Sequence, residues 1–270
     1  MKGDSDAPPD LYAPTYGQFA DSLHTEVRRD TWGEEFGQSG WITAPEQDRF
    51  MEFLGLKSGQ TLLDIGCGSG GPTLRFAERS GATARGIDVH HDGIATARRQ
   101  AAERGLGDRV AFEVCDATGP LQFGDGSFDA AMSVDAISHM PNHAKVVAEW
   151  ARVIKPGGKL LFTNASVLTG EATHEELAIR GNFGLQVYVA PDVDERAIEA
   201  AGLRLIVKED TTEQTATIAH RWHDARAKRE AGLRECEGSD AFERLQGFLA
   251  VASLLAREGR LRRYLYVAEK

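Results

Sequence analysis

A short apolar run leads directly into a glycine-rich turn near residue 66, and this junction constrains the fold more than any other part of the chain. The run Leu62–Ile65 has the character of a buried strand, and Pro72 stands where the first turn of a helix would begin. Gly66, Gly68 and Gly71 lie in the turn between them. Glycines allow the backbone to reverse tightly and to approach a ligand closely. The sequence therefore predicts a strand–turn–helix unit that binds a nucleoside-like cofactor.

Three aspartates indicate which cofactor suits this turn. Asp64 lies near the end of the first apolar run, Asp88 ends the next run, and Asp116 ends a third. The glycines also satisfy the G-x-G-x-x-G spacing of a dinucleotide site, so an NAD-dependent oxidoreductase is one alternative. Three carboxylates in a partly desolvated cleft would repel a pyrophosphate but attract S-adenosyl-L-methionine, which carries a sulfonium, an ammonium and a ribose diol. A non-catalytic, cofactor-binding regulatory protein on the same fold is a second alternative.

Five sequence segments together resemble the class I S-adenosylmethionine-dependent methyltransferases, in particular those that act on small molecules. They are LDIGCGSG, GIDV, FEVCDA, FDAAMSVDAISHM and ARVIKPGGKLLFTN, which lie between residues 60 and 165. The resemblance implies S-adenosyl-L-methionine as the cofactor. It also implies methyl transfer to a hydroxyl or amine of a small-molecule acceptor, with a natural-product pathway as one setting.

The resemblance implies where the cofactor lies. Its methionine part lies against Gly66 and Gly68, and its ribose hydroxyls bind Asp88. Residues 32–41 resemble an element that phosphoethanolamine methyltransferases place over the methionine carboxylate through a serine and a glycine. The predicted cofactor contacts are Ser39, Gly40, Asp64, Gly66, Cys67, Gly68, Asp88, Val89, Asp116 and Ala117.

A histidine after the fourth predicted strand is the candidate catalytic base. Methyl transfer is an in-line displacement, so alignment of the two reactants supplies much of the rate, and a base is needed when the nucleophile is a hydroxyl or an ammonium. The segment from Asp135 to His139 resembles the DAI-x-H element of phosphoethanolamine methyltransferases. That resemblance implies a catalytic His139 with Asp135 near the substrate amine. The alternative is that His139 only lines the pocket.

Two further residues are predicted to contact the acceptor. Tyr16 is the candidate lid residue, and Arg180 matches one member of the phosphate-binding set of the phosphoethanolamine enzymes. The other positions of that set carry Ala165, Phe183 and Val267 in place of tyrosines and a lysine. Phosphoethanolamine is therefore disfavoured as the acceptor, and sugar and natural-product acceptors stay open.

Charge and composition disfavour several classes of function. The 270 residues carry a formal charge of −10, which argues against a nucleic-acid partner because such proteins bind phosphates through lysine and arginine. There is no apolar run of membrane-spanning length and no signal-peptide pattern, so we expect a cytoplasmic protein without a membrane partner. The cysteines lack metal-site spacing, and we expect reduced thiols and no metal. A homodimer is one candidate assembly.

The order of predicted elements indicates an α/β fold. Strands and amphipathic helices alternate from residue 60 onward, which is typical of a Rossmann-like, doubly wound sheet of seven strands, here with an antiparallel C-terminal edge strand. The predicted domains are an N-terminal helical lid (1–58), a cofactor-binding core (59–212), a helical insert that covers the substrate (213–259) and the last core strand (260–270).

Overall fold

Strands and helices alternate along most of the chain. The computed structural model describes Tyr16, Phe19 and residues 21–182 and 184–270, so the predictions that concern residues 1–15 and Phe183 lie outside the described residues. The strands are β1 (Thr61–Ile65), β2 (Thr83–Asp88), β3 (Val110–Val114), β4 (Phe128–Ser133), β5 (Ile154–Leu168), β6 (Arg204–Asp210) and β7 (Leu261–Glu269). The helices are α1 (Ser22–Trp32), α2 (Ala44–Leu54), α3 (Gly71–Ser80), α4 (His91–Glu103), α5 (His143–Val153), α6 (His174–Gly181), α7 (Val193–Ala200), α8 (Thr212–Ala227), α9 (Glu230–Glu237) and α10 (Ser239–Arg257).

The strands form one seven-stranded sheet in the order β3-β2-β1-β4-β5-β7-β6. The first five strands are parallel, and β7 runs antiparallel to both of its neighbours. The predicted α/β class with seven strands and an antiparallel C-terminal strand is confirmed. Its helices cover both faces, as a doubly wound sheet requires.

The position predicted for the last strand is wrong in one respect. We expected β7 at the edge of the sheet, but it lies between β5 and β6, and β6 is the edge strand. Residues 265–268 are buried on both faces of the sheet, because Leu265 and Val267 pack in one hydrophobic core and Tyr266 and Ala268 pack in the other. Their strand also bonds to a partner along each of its edges. Alternation along a sequence predicts a strand but not how many neighbours it has.

Each face of the sheet has its own hydrophobic core. One core packs α2, α3 and α4 against the sheet around Phe50, Leu74 and Phe112. The other packs α5 and α7 against the opposite face around Trp150, Ile198 and Phe162. Burial of these large side chains fixes the sheet and therefore the positions of the loops at its ends.

A third cluster lies outside the sheet and forms what we call the helical cover, which consists of α1, α8, α9 and α10. Val27 and Trp32 of α1 pack with Trp222 of α8 and Phe248 of α10. The N-terminal region and the insert, which are distant in sequence, therefore share one core. The domain boundaries at 58, 212 and 259 stay predictions. No helix among the described residues is both long and apolar enough to cross a membrane.

Candidate active site

A cavity of about 420 Å³ opens at the carboxyl ends of β1 and β4. These neighbouring strands mark the point where the strand order reverses, which is where open α/β sheets form their ligand crevices. The wall combines aromatic and apolar side chains with the carboxylates of Asp88, Asp116 and Asp135. The cavity therefore lies where the glycine turn predicted a ligand.

Two glycines of the turn have no room for a side chain. Gly66 has a φ of +75°, and a Cβ there would stand 2.3 Å from the Cβ of Ala136. A Cβ on Gly71 would stand 2.4 Å from the backbone of Gly37, in the segment before α2. Glycine is required because the turn packs closely against the chain on both sides. Gly66 itself lines the cavity.

Asp88 ends β2 with its carboxylate fixed at the cavity wall by backbone donors. Its Oδ2 accepts a hydrogen bond from the Gly68 N–H at 2.9 Å, and its Oδ1 accepts one from the His90 N–H at 2.8 Å. A carboxylate has about four acceptor positions, so it can still accept bonds from a ligand diol. The residues predicted at the adenine, Val89, Asp116 and Ala117, also line the cavity.

Asp64, Cys67 and Gly68 build the turn but do not line the cavity. Thr73 Oγ1 donates a hydrogen bond to Asp64, and burial raises the pKa of Asp64 to about 7. Burial also raises the pKa of the Cys67 thiol, which keeps the thiol neutral. These side chains support the turn from inside the protein, and their contact with the cofactor stays a prediction.

The segment between α1 and α2 forms another part of the wall through Ser39, Gly40 and Trp41. Trp32 Nε1 donates a hydrogen bond to the Gly40 carbonyl at 3.2 Å, and the Trp41 N–H donates one to Asp135 Oδ2 at 2.9 Å. A Cβ on Gly40 would stand only 2.9 Å from that same carboxylate oxygen. The predicted methionine-binding segment is therefore in direct contact with the chain that follows β4.

Asp135 lines the cavity, but both of its carboxylate oxygens have donors within the protein. Oδ1 accepts hydrogen bonds from Thr163 Oγ1 at 2.8 Å and from Arg263 Nε at 2.7 Å, and Oδ2 accepts the bond from the Trp41 N–H. Its φ of +57° is in the left-handed region, which aspartate tolerates better than most residues. These bonds favour a positioning role for Asp135 over the predicted role beside a substrate amine.

His139 lies in a 3₁₀ turn (Ile137–His139) after β4, and its half-buried imidazole lines the cavity. Nδ1 stands 2.7 Å from the carbonyl oxygen of Leu185. The side-chain amide nitrogen of Gln186 stands 3.2 Å from the same Nδ1, but the Leu185 carbonyl oxygen is nearer and can only accept a hydrogen bond. We therefore assign the proton of neutral His139 to Nδ1 and the lone pair to Nε2. Burial lowers the pKa of His139, and the positive charge of Arg180 lowers it further. The imidazole is therefore neutral near pH 7.

The two predicted acceptor contacts lie at different parts of the cavity wall. Tyr16 contacts the cofactor turn, since its hydroxyl would be 2.7 Å from a Cβ on Gly68 and its ring packs edge-on against His90 at 4.9 Å. Arg180 is buried and places its guanidinium over the ring of Phe248 at 4.4 Å. Tyr16 therefore lies beside the predicted cofactor site, and Arg180 lies with the aromatic residues of the helical cover.

Comparison with known proteins identifies the family. A family model described as a methyltransferase domain matches residues 63–162. Over 232 residues the chain is 32% identical to 27-O-demethylrifamycin SV methyltransferase of Amycolatopsis mediterranei (strain S699), with 82% of each chain covered. The chain belongs to the class I S-adenosylmethionine-dependent methyltransferases of small molecules. Its cofactor is S-adenosyl-L-methionine, so the dinucleotide alternative falls away.

Solved structures with the same fold include enzymes of other chemistry. The cyclopropane synthase MmaA2 from Mycobacterium tuberculosis superposes with a TM-score of 0.82 at 18% identity, covering 98% of this chain and 100% of that one. The 4+2 cyclase SpnF superposes with a TM-score of 0.71 at 26% identity, covering 98% of this chain and 97% of that one. Nearly the whole of this chain, helical cover included, therefore has counterparts among proteins of this methyltransferase fold.

The donor set of the cavity fits S-adenosylmethionine. The described wall contains three carboxylates and one arginine, a balance that favours a ligand with a net positive charge over a pyrophosphate. Asp88 is placed to accept hydrogen bonds, and Gly40 and Gly66 keep the backbone exposed to the cavity. Among the residues that the structure describes, no group of three histidine, cysteine or acidic side chains could hold a metal ion.

Several residues of the cavity wall were not predicted from the sequence. Trp222 and Phe248 come from the helical cover, and Leu185 and Gln186 come from the loop after α6. No local pattern marks them, because they reach the cavity only through packing between distant elements. A large aromatic such as Trp222 is equally typical of a hydrophobic core, and it does pack against Trp32 at 5.1 Å between ring centroids.

Proposed function

We propose that this enzyme transfers the methyl group of S-adenosylmethionine to a hydroxyl oxygen of a bulky, largely apolar small molecule. The observation that carries the proposal is the bond between His139 Nδ1 and the Leu185 carbonyl. It selects the tautomer whose Nε2 can accept a proton, at a position on the cavity wall. Such a group is what a hydroxyl nucleophile requires near neutral pH.

Two observations favour a hydroxyl over an amine acceptor. The carboxylate of Asp135, which would attract an ammonium group, is bonded to Arg263, Thr163 and the Trp41 N–H. The buried cation of Arg180 lies close enough to His139 to lower its pKa, and it would repel an ammonium at the same place. An alkoxide or phenolate that develops as the proton leaves would be attracted by that charge.

The wall away from the glycine turn indicates an acceptor with a large apolar surface. Trp41, Trp222 and Phe248 form an aromatic group, with Trp41 and Phe248 stacked at 6.1 Å between ring centroids. Met140 and Leu185 add apolar surface. The rifamycin relative is named for the methylation of 27-O-demethylrifamycin SV, and that name places the missing methyl group on an oxygen.

In the proposed reaction the protein contributes alignment, exclusion of water and a proton acceptor. The cofactor, when bound, supplies a methyl carbon that is activated by positive sulfur. The glycine turn and the Ser39–Trp41 segment would hold the cofactor, and the aromatic wall would orient the acceptor and keep water out. His139 Nε2 would take the hydroxyl proton as the acceptor oxygen gains the methyl group, and the methyl–sulfur bond would break with its electron pair left on sulfur.

A labelling experiment tests the proposal. The enzyme is incubated with S-adenosylmethionine that carries a trideuterated methyl group and with a panel of phenols, macrocyclic alcohols, primary amines and 27-O-demethylrifamycin SV. Mass spectrometry detects the product, and NMR locates the label. Label on oxygen is expected. Label on nitrogen or carbon contradicts the proposal, and binding of S-adenosylhomocysteine without transfer to any acceptor supports the non-catalytic alternative.

A further inference from the structure

Arg263 lies at the centre of a buried network of hydrogen bonds and ion pairs. Its side chain projects from β7 and is 0% exposed. Nη1 donates hydrogen bonds to Glu46 Oε1 at 2.6 Å and to Thr211 Oγ1 at 2.9 Å, and Nε donates to Asp135 Oδ1 at 2.7 Å. One guanidinium thereby joins α2, the start of α8 and the chain after β4.

Stability alone is a weak reason for such a network. Removing two carboxylates and a guanidinium from water costs free energy that their attraction often only offsets, and well-packed apolar residues stabilise a core at least as well. Burial raises the pKa of Glu46, which shows the cost of keeping that carboxylate charged. The network is therefore better explained by the positions in which it holds its groups than by its contribution to stability.

The network ends at the cavity wall. Arg263 Nε donates to Oδ1 of Asp135 and the Trp41 N–H donates to Oδ2, so the arginine holds one oxygen of the carboxylate whose other oxygen holds the Ser39–Trp41 segment. Thr163 Oγ1 fixes the same carboxylate from β5, and it also accepts a hydrogen bond from the Asp135 N–H at 2.8 Å. Arg263 and Thr163 themselves do not line the cavity.

We propose that Arg263 is a positioning residue for cofactor binding: through Asp135 it holds the Ser39–Trp41 segment in the conformation that receives the methionine end of S-adenosylmethionine. The proposal rests on the predicted cofactor contacts of Ser39 and Gly40, but it does not depend on the identity of the acceptor. A planar guanidinium suits this role because its fork spans two carboxylates in fixed directions, whereas a lysine ammonium acts as a point charge.

Binding of S-adenosylhomocysteine to the full-length protein tests the proposal without an acceptor. Arg263→Lys should raise the dissociation constant, measured by calorimetry, by about tenfold, because a lysine ammonium acts as a point charge and no longer holds the Asp135 carboxylate in the fixed direction set by the guanidinium. Hydrogen exchange of peptides that contain the Trp41 amide should accelerate relative to β4 peptides of the same sample. This amide is the direct donor to Asp135, so its exchange reports on the proposed coupling.

Arg226→Lys is the matched control. Arg226 is equally buried, and it pairs through two hydrogen bonds with Glu237 inside the helical cover. Arg226→Lys should lower the thermal midpoint about as much as Arg263→Lys does. It should leave the dissociation constant of S-adenosylhomocysteine and the hydrogen exchange of the Trp41 amide unchanged. If both arginine variants affect binding equally, or if Arg263→Lys lowers only the thermal midpoint, the positioning role is overturned.

A second pair of variants covers the case in which Arg263→Lys does not fold. Thr163→Val removes the hydroxyl that holds Asp135 but keeps the shape, and it should raise the dissociation constant about threefold, within the range of one hydrogen bond. Thr163→Ser keeps the hydroxyl and should restore wild-type binding. Equal affinities for the valine and serine variants overturn the proposal. Failure of the wild type to methylate any acceptor would count against the proposed function and leave these binding results intact.

Discussion

A histidine accepts a proton only while it is neutral, and the surroundings of His139 keep it neutral near pH 7. Burial and the charge of Arg180 lower its pKa below the ordinary value of 6.5. Protonation on acidification removes the lone pair on Nε2. Turnover of the wild type should therefore be constant around neutral pH and fall as the pH drops through a value below 6.5, measured as kcat against pH.

Replacing His139 separates the two roles that the residue can have. His139→Asn should lower kcat by about 10² to 10⁴, the range for loss of a general base, and leave the affinity for S-adenosylhomocysteine nearly unchanged. His174→Asn, an exposed histidine of α6, is the control and should behave as the wild type. Near-normal kcat with a raised KM for the acceptor would make His139 a wall of the pocket instead.

Asp64 gives the unliganded protein a pH dependence of its own. Burial raises its pKa from 3.8 to about 7. Between these values the folded protein keeps a proton that the unfolded chain has released, so the free energy of unfolding falls as the pH rises from about 4 to about 7. Asp64→Asn has no such titration. The free energy of unfolding of Asp64→Asn, minus that of the wild type, should therefore be about 2 to 3 kcal/mol larger at pH 8 than at pH 5.

Urea unfolding of the cofactor-free protein at the two pH values measures this difference. Asp108→Asn, which changes an exposed carboxylate, is the control and should show a much smaller change. A constant difference between Asp64→Asn and the wild type at pH 5 and pH 8 would mean that Asp64 is already ionised throughout. Its partner Thr73 would then be holding a charged group.

The sequence predicted wall residues where they follow parallel strands. Asp88 and Asp116 each end or follow such a strand, and the carboxyl ends of parallel strands meet at one edge of the sheet. Arg263 could not be predicted in this way. It contacts Asp135 from 128 residues further along the chain, and nothing local distinguishes a buried arginine of an inner strand from an exposed one of an edge strand.

At the scale of elements, the hydrophobic periodicity of the sequence predicted where the strands lie. It did not predict their order in the sheet or the contacts of the loop after α6. The pairing of β7 with both β5 and β6 depends on which edges are left free when the sheet forms. The loop after α6 supplies the Leu185 carbonyl that bonds His139, and the Val187 N–H donates to the Ser138 carbonyl at 2.7 Å. These are long-range contacts that no propensity encodes.

The helical cover should respond to the acceptor more than to the cofactor. It supplies Trp222 and Phe248 to the cavity wall, whereas the predicted cofactor contacts lie elsewhere. Hydrogen exchange of α8 and α10 should therefore slow further when an acceptor that gives turnover is added to the complex with S-adenosylhomocysteine. Peptides of α7, which packs against α5 on one face of the sheet, serve as the control. Protection confined to residues 60–140 under both conditions would rule out a lid.

At the scale of the whole molecule, the cavity wall is formed by the sheet and by the helical cover, and segments of these two parts alternate along the chain. The sheet supplies the glycine turn and the strand-end carboxylates, and the helical cover supplies aromatic surface. Within the helical cover, Arg229 of the insert forms ion pairs with two residues of α1, Glu26 at 3.1 Å and Asp30 at 2.8 Å. The insert and α1 thus act as one cover, although Arg229 lies 199 positions after Asp30 in the sequence.

The charge of the whole protein should distinguish the substrate cofactor from its product. S-Adenosylmethionine carries a net charge of +1 at neutral pH, and S-adenosylhomocysteine has lost the sulfonium charge. A protein of charge −10 with three carboxylates in the cavity wall attracts the former, and salt screens that attraction over about 10 Å at 0.1 M. Raising NaCl from about 20 mM to about 500 mM should therefore weaken binding of S-adenosylmethionine about twofold to fivefold, measured by calorimetry. Binding of S-adenosylhomocysteine should change much less, and equal salt dependence for the two ligands would show that the field of the protein does not select for the sulfonium.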